Sequence, residues 1–346
     1  MWLVAQFPAP LVCRPAAQPQ APPVAPTRRQ PHNKHSPVPL GGTPWGEGGL
    51  ERWEGETYAP GMRKTWAERV GAWERGELEV VAARRAATVL LLRDEPAGAP
   101  AVHMLRRRTS MAFAGGMYAF PGGGVDPRDE RPVRWAGPPL AEWAALLGLE
   151  PAAAQAVVCA AVRETFEESG VLLAGPADAP DLVRDTTGPG WEADRTALVG
   201  HELAFADFLD RRGLALRSDL LRPCARWITP EFEERRYDTW FFLAALPAGQ
   251  LTRDVSGEAD RTVWLPAAQA VAGHDSGELS MLPPTITMLR DLLPYDSAEA
   301  ALAGAAGRDL APVQATARLD EAGSVVLTWP GHGSFTRTAA PGGEAR

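Results

Sequence analysis

Lysine is almost missing from this chain. Of its 35 basic residues only Lys34 and Lys64 are lysine. Both precede the segment that reads as folded, so covalent chemistry through a lysine amine is excluded there. Contacts to an anion fall to Arg, whose planar fork suits phosphate. Cysteine is scarce too. Cys13, Cys159 and Cys224 have no paired spacing, which excludes a disulfide framework and a zinc pattern. Cys159 reads as a small core residue, and the chain is expected to be reduced and cytoplasmic. The six histidines are scattered without H-E-x-x-H, and no G-x-S-x-G is present, so neither a zincin nor a serine-hydrolase reading is supported. No apolar run approaches the roughly 18 residues a membrane span requires. Met1–Pro8 lacks a basic region ahead of an apolar core and makes a poor signal peptide. No membrane association is expected. The net charge of −8 with no long basic run argues against a general nucleic-acid binder. It leaves room for a small anionic substrate in a local Arg pocket. The oligomeric state is left open.

What is present divides the chain into three parts. Residues 1–75, rich in Pro, Gln, Ala and Gly, read as a mostly disordered tail carrying a short helix near Trp66–Glu77. Residues 80–300 read as one folded domain. Residues 301–346 read as a C-terminal extension with a hairpin about Asp320–Gly323 and a flexible end. Within the domain, Ala87–Arg93 is an apolar run of buried-strand type with Ala101–Arg106 as its partner. Further strands are expected at Ala225–Ile228, Thr239–Ala244 and Thr262–Leu265, with helices at Pro266–Ala272, Leu203–Arg211 and Thr285–Leu293. Strands mixed with helices imply a sheet between helical layers.

Two short segments carry the chemistry. The first is Phe120-Pro121-Gly122-Gly123-Gly124-Val125-Asp126, a glycine-rich strand exit whose backbone can approach a ligand closely. The second is Arg163-Glu164-Thr165-Phe166-Glu167-Glu168-Ser169-Gly170-Val171, which reads as the end of a helix. Pro151 suits its first turn, Ala154, Val158, Ala161, Val162 and Thr165 form its stripe, and Gly170 ends it. Glu164, Glu167 and Glu168 share one side at 3.6 residues per turn, flanking the stripe so that they can face a cleft. Like charges at i,i+4 cost a helix about 0.2–0.5 kcal/mol, a cost removed by a cation. Arg163 can pair with Glu167. Hard oxygen donors suit Mg²⁺ or Mn²⁺ bridging to substrate phosphates. Such a cluster in isolation is more often a solvated acidic helix face; the glycine turn upstream and the glycine cap favour the metal.

These two segments resemble the Nudix box, whose pattern is G, five residues, E, seven residues, then R-E-U-x-E-E-x-G-U with U apolar. Arg163, Glu164, Glu167, Glu168, Gly170 and Val171 match; Thr165 is a polar departure at the first U. The resemblance implies an α/β/α sandwich with a mixed sheet. Two further departures matter. The first Gly should lie fourteen residues before Arg163, but Gly123 lies forty before it, so about 26 residues, near 128–150, sit inside the motif. They read as a loop followed by a short helix at Leu140–Leu149. The pattern's first Glu falls on Gln155. The split box, with Trp227–Leu243 and Leu282–Thr285, is similar to the Nudix group that includes the mammalian mitochondrial and peroxisomal coenzyme A diphosphatase. Arg107, Gly116 and Phe120–Gly123 fit the stretch that precedes the box in coenzyme A-cleaving members, whereas Ala112 stands where a second Arg is expected.

The resemblance implies metal-assisted attack of water on one phosphorus of a small-molecule diphosphate. The expected metal ligands are Glu164, Glu167, Glu168 and Glu258, with Glu164 as ligand or general base beside Arg163 and Glu168. Asp238 and Glu234 are alternatives to Glu258. Arg107, Gly122, Gly123 and Gly124 are expected at the substrate. Arg106, Arg108, Arg235 and Arg236 are further candidate phosphate contacts. The insertion is expected to be an excursion at the rim of the site that tunes substrate preference. The alternative function is a non-catalytic module that binds a nucleotide-like ligand, favoured by Gln155 alone.

Overall fold

Val89, Leu90, Leu91 and Leu92 are four consecutive side chains with no solvent exposure, as in a strand covered on both faces. Their period-two alternation sends Leu90 and Leu92 into one apolar cluster and Val89 and Leu91 into the other. The computed structural model describes residues 65–96, 98–109, 115–254, 257 and 259–330, with the backbone of 334–337. Cys13, Ala112 and Glu258 lie outside the described residues, as do residues 1–64 of the expected tail.

In chain order the elements are α1 Trp66–Glu74, β1 Arg84–Glu95, β2 Gly98–Arg107, β3 Tyr118–Ala119, β4 Gly122–Gly124, β5 Trp135–Ala136, α2 Leu140–Leu147, α3 Pro151–Ser169, β6 Ala174–Pro176, α4 Pro189–Val199, α5 Phe205–Arg211 and β7 Leu214–Arg217. They continue with β8 Arg222–Ile228, β9 Tyr237–Ala245, β10 Ala259–Pro266, α6 Ala267–Asp275, α7 Pro283–Leu292, α8 Ala298–Gly304, β11 Val313–Gln314, β12 Thr316–Leu319, β13 Val325–Thr328 and β14 Ser334–Arg337. The main sheet runs β10-β2-β1-β9-β8-β11, with β3 beside β2 and β4 beside β1. It is mixed: β1 is antiparallel to β2 and β4 but parallel to β9. Residues of α2, α3, α4 and α5 share an apolar cluster with one face of the sheet, and residues of α1, α6, α7 and α8 share one with the other. This is the expected α/β/α sandwich.

Three expectations are corrected here. The insertion is not a rim excursion. Its helix α2 meets α3 at 88°, and Trp143 and Leu147 are each 2 % exposed within the α3-side core. Two neighbouring turns of apolar side chains had to be buried, and the face of α3 was the nearest partner. Trp143→Ala is therefore expected to cost about 3–5 kcal/mol, read as a lower urea midpoint. Replacing residues 128–149 by a linker is expected to unfold the domain rather than retune it. The C-terminal extension is also integral. β11 joins the main sheet beside β8, and Val325, Leu327 and Trp329 lie in the same cluster as Leu90. Finally, α1 belongs to the domain, since Val70 is fully buried in that cluster, and its Thr65 cap is of the capping-box type. Among the described residues no single helix is long and apolar enough to cross a membrane. Cys159 and Cys224 are free thiols buried in the core, and burial pushes both up, Cys224 to about 12.

Candidate active site

Helix α3 begins with Pro151 at its first position and ends at Gly170, whose φ is 74°, a left-handed conformation that glycine adopts without strain. The last turn is held by cations, as its dipole favours: Arg195 donates to Glu167 O at 2.8 Å, and a Cβ at Gly170 would press on Arg253. Thr165, the polar departure from the motif, is fully buried, and its hydroxyl donates to Ala161 O at 2.7 Å. It serves the core without an unpaired group.

The glycine strand and the end of α3 meet residue by residue. The Gly122 N–H donates to Glu168 Oε2 at 2.8 Å. Gly123 packs so closely on Glu164 that an added Cβ would lie 2.6 Å from its carboxyl carbon. Gly124 O accepts from Arg163 Nη2 at 2.9 Å. β4 is itself held against β1 by the register Ala86 to Gly124 through Thr88 to Gly122. The two motif halves, separated by the insertion in sequence, therefore form one wall.

Arg163 uses all five of its N–H donors. Besides Gly124 O, Nε and Nη2 grip Asp129 at 3.0 and 2.9 Å, and Nη1 donates to Glu164 at 2.8 Å and Glu167 at 3.3 Å. The expected Arg163–Glu167 pair is present. All of its donors are thus spent inside the protein, two of them on Glu164 and Glu167. Burial opposes its charge, but Glu164, Asp129 and Glu167 outweigh that and hold it cationic.

The carboxylates do not stand on a solvated helix face. Glu167 and Glu168 are only 8 % and 7 % exposed, and Glu164 is half-buried. Sequence periodicity placed one side of α3 in the core; α4 contributes the Arg195 contact that helps to cover the side bearing Glu167. Burial pushes Glu164 up to about 7, opposed by Arg163 and reinforced by the charge of Glu167. Burial raises Glu167 as well, again opposed by Arg163. Two crowded carboxylates with raised affinity for a positive charge fit a hard divalent cation. Among the described residues no three His, Cys, Asp or Glu side chains are gathered closely enough to ligate one ion. The expected ligand set is thus not assembled as a closed cage. The donor chemistry suits Mg²⁺ or Mn²⁺ bound by one or two carboxylates, with water and phosphate completing the shell.

Other expected residues are scattered in role. Arg107 ends β2, with Ala259 as its Cα partner across the strand pair. Glu258, immediately before Ala259, lies outside the described residues. Arg106 pairs with Asp260 at 2.7 Å, and Arg108 donates to Ala259 O. Arg236 is buried and donates to Thr229 O and Val81 O, a structural bond that removes it as a phosphate contact. Asp238 is engaged by Arg226 and Glu234 by Arg69, so neither is poised as a base. Gln155 Nε2 donates to Glu130 O and Arg131 O. Sequence reasoning missed Asp129, which lies in a non-periodic turn. The signal was there: Asp126 and Asp129 have cap-to-N3 spacing, and the structure shows both halves of that box.

Residues 151–292 match the family model described as the NUDT19 Nudix domain. The chain is similar to the acyl-coenzyme A diphosphatase NUDT19 of Gallus gallus, 28 % identical over 155 residues, which cover 40 % of this chain and 41 % of that protein. The Xenopus laevis protein of the same name is 28 % identical over 138 residues, 37 % of this chain and 36 % of its own. The matches thus span about two fifths of the length of these curated relatives. Among solved structures, a NUDIX hydrolase from Alicyclobacillus acidocaldarius is 29 % identical with a TM-score of 0.55, covering 68 % of this chain and all of that one.

Proposed function

We propose that this chain, a relative of the Nudix hydrolases with a split box of the coenzyme A diphosphatase kind, is a divalent-metal-dependent hydrolase. Its substrate is a small molecule containing a nucleoside-diphosphate-type linkage, with coenzyme A or an acyl-coenzyme A as the leading candidate. The observation that supports this most is the pairing of three consecutive glycines with Glu168, Glu164 and Arg163. It sets a backbone that can approach phosphate against the half-buried Glu164 and the buried Glu168.

Glu164 and Glu167 are the residues that would hold Mg²⁺ or Mn²⁺, with Glu168 beside them. When bound, the cation would neutralise phosphate oxygens and acidify water. The chain's own part is positional. Arg163 fixes Glu164 and Glu167, Glu168 anchors the glycine strand, and the raised proton affinity of Glu164 suits a group that accepts a proton near neutral pH. The non-catalytic reading drew on Gln155 alone, and that amide has a structural task on the inserted turn.

Arg107 tests the coenzyme A assignment. A 3′-phosphate needs a cation, and Arg is nearly the only basic residue available. The parent protein is expected to favour coenzyme A over dephospho-coenzyme A in kcat/KM, and Arg107→Ala to reduce that preference by about tenfold or more, since a site built around a charged contact discriminates against ligands lacking it. Equal rates on both compounds, or a preference untouched by the substitution, would remove Arg107 from the role.

A further inference from the structure

The last turn of α3 carries Glu167 and Glu168, and its backbone ends in a socket built by residues distant in sequence. The final four carbonyls of a helix have no partner within it. Here Glu167 O accepts Arg195 Nη1 of α4 at 2.8 Å, and Ser169 O accepts the Arg253 N–H at 2.9 Å. Just past the helix, Gly170 O accepts the Thr186 hydroxyl at 2.6 Å. Gln250, 3 % exposed, holds the chain that follows. Its Oε1 accepts the Leu172 N–H and its Nε2 donates to Leu172 O, both at 2.8 Å. The segment bearing Gln250 and Arg253 is itself tied to β1, since the Leu246 N–H donates to Leu92 O at 2.7 Å.

Arg195 is the member of this socket that reaches a residue of the site. It is 7 % exposed. Its Nε and Nη2 grip the carboxylate of Glu192, three residues earlier on α4. That forked pair fixes the plane of the guanidinium and leaves Nη1 for Glu167 O. Glu192 Oε2 also lies 3.5 Å from Arg253 Nη2, so one carboxylate joins α4 to the segment beneath Gly170. These partners lie outside the glycine turn and outside the charged row of α3. Their bonds to α3 go to its main chain. They therefore decide where the last turn stands, and a shift of that turn carries Glu167 and Glu168 with it.

We infer that Arg195 is a positioning residue of the site: through Glu167 O it sets the height of the last turn of α3, and with it the place of the Glu167 and Glu168 carboxylates. The inference rests on the hydrolase reading for its consequence, and on main-chain hydrogen bonds for its substance. Arg195 acts through the backbone of Glu167 and has no contact with substrate to make.

The test uses the full chain, with Mn²⁺ alone as the probe. Arg195→Met keeps the apolar stem and removes the donors. It is expected to weaken Mn²⁺ binding by about tenfold, read by calorimetry without substrate, as the loss of an outer partner of a metal-holding group commonly does. On the best diphosphate kcat should fall by about tenfold, with KM changed less than about threefold. Arg195→Lys can still donate to Glu167 O and should recover most of the binding. Amide hydrogen exchange gives a readout that needs neither metal nor turnover. The N–H groups of Glu167, Glu168 and Ser169 should exchange faster in Arg195→Met, while those of Val157 to Ala161, in the middle of α3, keep their protection. A role confined to stability would lower the melting midpoint and leave the Mn²⁺ affinity of the folded protein unchanged. Unchanged affinity, or unchanged exchange at the three amides, in folded Arg195→Met overturns the inference. Should that variant fail to fold, Glu192→Gln takes its place: it frees the fork from a partly exposed partner, and parental Mn²⁺ affinity there overturns the inference equally. If the parent binds Mn²⁺ but hydrolyses nothing, weakened binding in Arg195→Met upholds the socket while the hydrolase reading fails. A parent without Mn²⁺ affinity overturns both.

Discussion

Glu168→Gln is expected to lower kcat by about 10²–10³, the usual consequence of removing one charge-stabilising group from an active site, while leaving the thermal midpoint within a few degrees. Glu168 Oε2 accepts the Gly122 N–H at 2.8 Å. A glutamine oxygen can accept the same bond, and the side chain belongs to neither apolar cluster. The fold therefore loses little. What disappears is a negative charge beside Glu164 and Glu167, and with it affinity for the cation. Saturation kinetics in Mg²⁺ and Mn²⁺, paired with a circular-dichroism melt, separate the two effects. A folded variant turning over near the parental rate would contradict the place given to Glu168.

Gly123→Ala is expected to be nearly as damaging to activity, for a steric reason. The added methyl would lie 2.6 Å from the Glu164 carboxyl carbon and 2.7 Å from Oε2. Glu164 must then swing away, and the Arg163 bond that holds it is strained or lost. Overpacking of this kind costs about 1–3 kcal/mol, and a displaced carboxylate is expected to reduce kcat by about 10²-fold. Gly124→Ala provides the comparison: its added methyl meets nothing within 4 Å, so its cost should be much smaller. Equal effects of the two substitutions would mean that close packing on Glu164 is not what requires glycine at 123.

The parts of the site legible in the sequence were those with local grammar. Pro151, Gly170 and the i,i+4 relation of Arg163 to Glu167 delimit α3 and its ion pair without reference to the rest of the chain. The apolar runs of β1 and β9 announce buried strands because Val89-Leu90-Leu91-Leu92 in one and Trp240-Phe241-Phe242-Leu243 in the other follow one another without polar relief. Long-range packing was not legible. α4 begins at Gly188-Pro189-Gly190 and buries only Arg195 and Leu198, so no apolar stripe marks it, yet its Arg195 reaches the last turn of α3. The insertion looked like a loop because its turn is polar. That polarity is explained only when Asp129 meets Arg163, thirty-four residues further on. Gln155 looked like a defect for the same reason: its partners, Glu130 O and Arg131 O, are backbone atoms that no residue pattern displays.

The most direct test of the account is a mass-spectrometric hydrolysis assay of the parent protein with coenzyme A, acyl-coenzyme A, a nucleoside diphosphate sugar, a dinucleotide polyphosphate and NADH. Each is incubated with Mg²⁺, with Mn²⁺ and with chelator. The account predicts cation-dependent cleavage of one phosphoric anhydride bond, abolished by chelator, with coenzyme A giving adenosine 3′,5′-bisphosphate and phosphopantetheine. If folded protein leaves all five compounds intact in the presence of either cation, the central claim is contradicted.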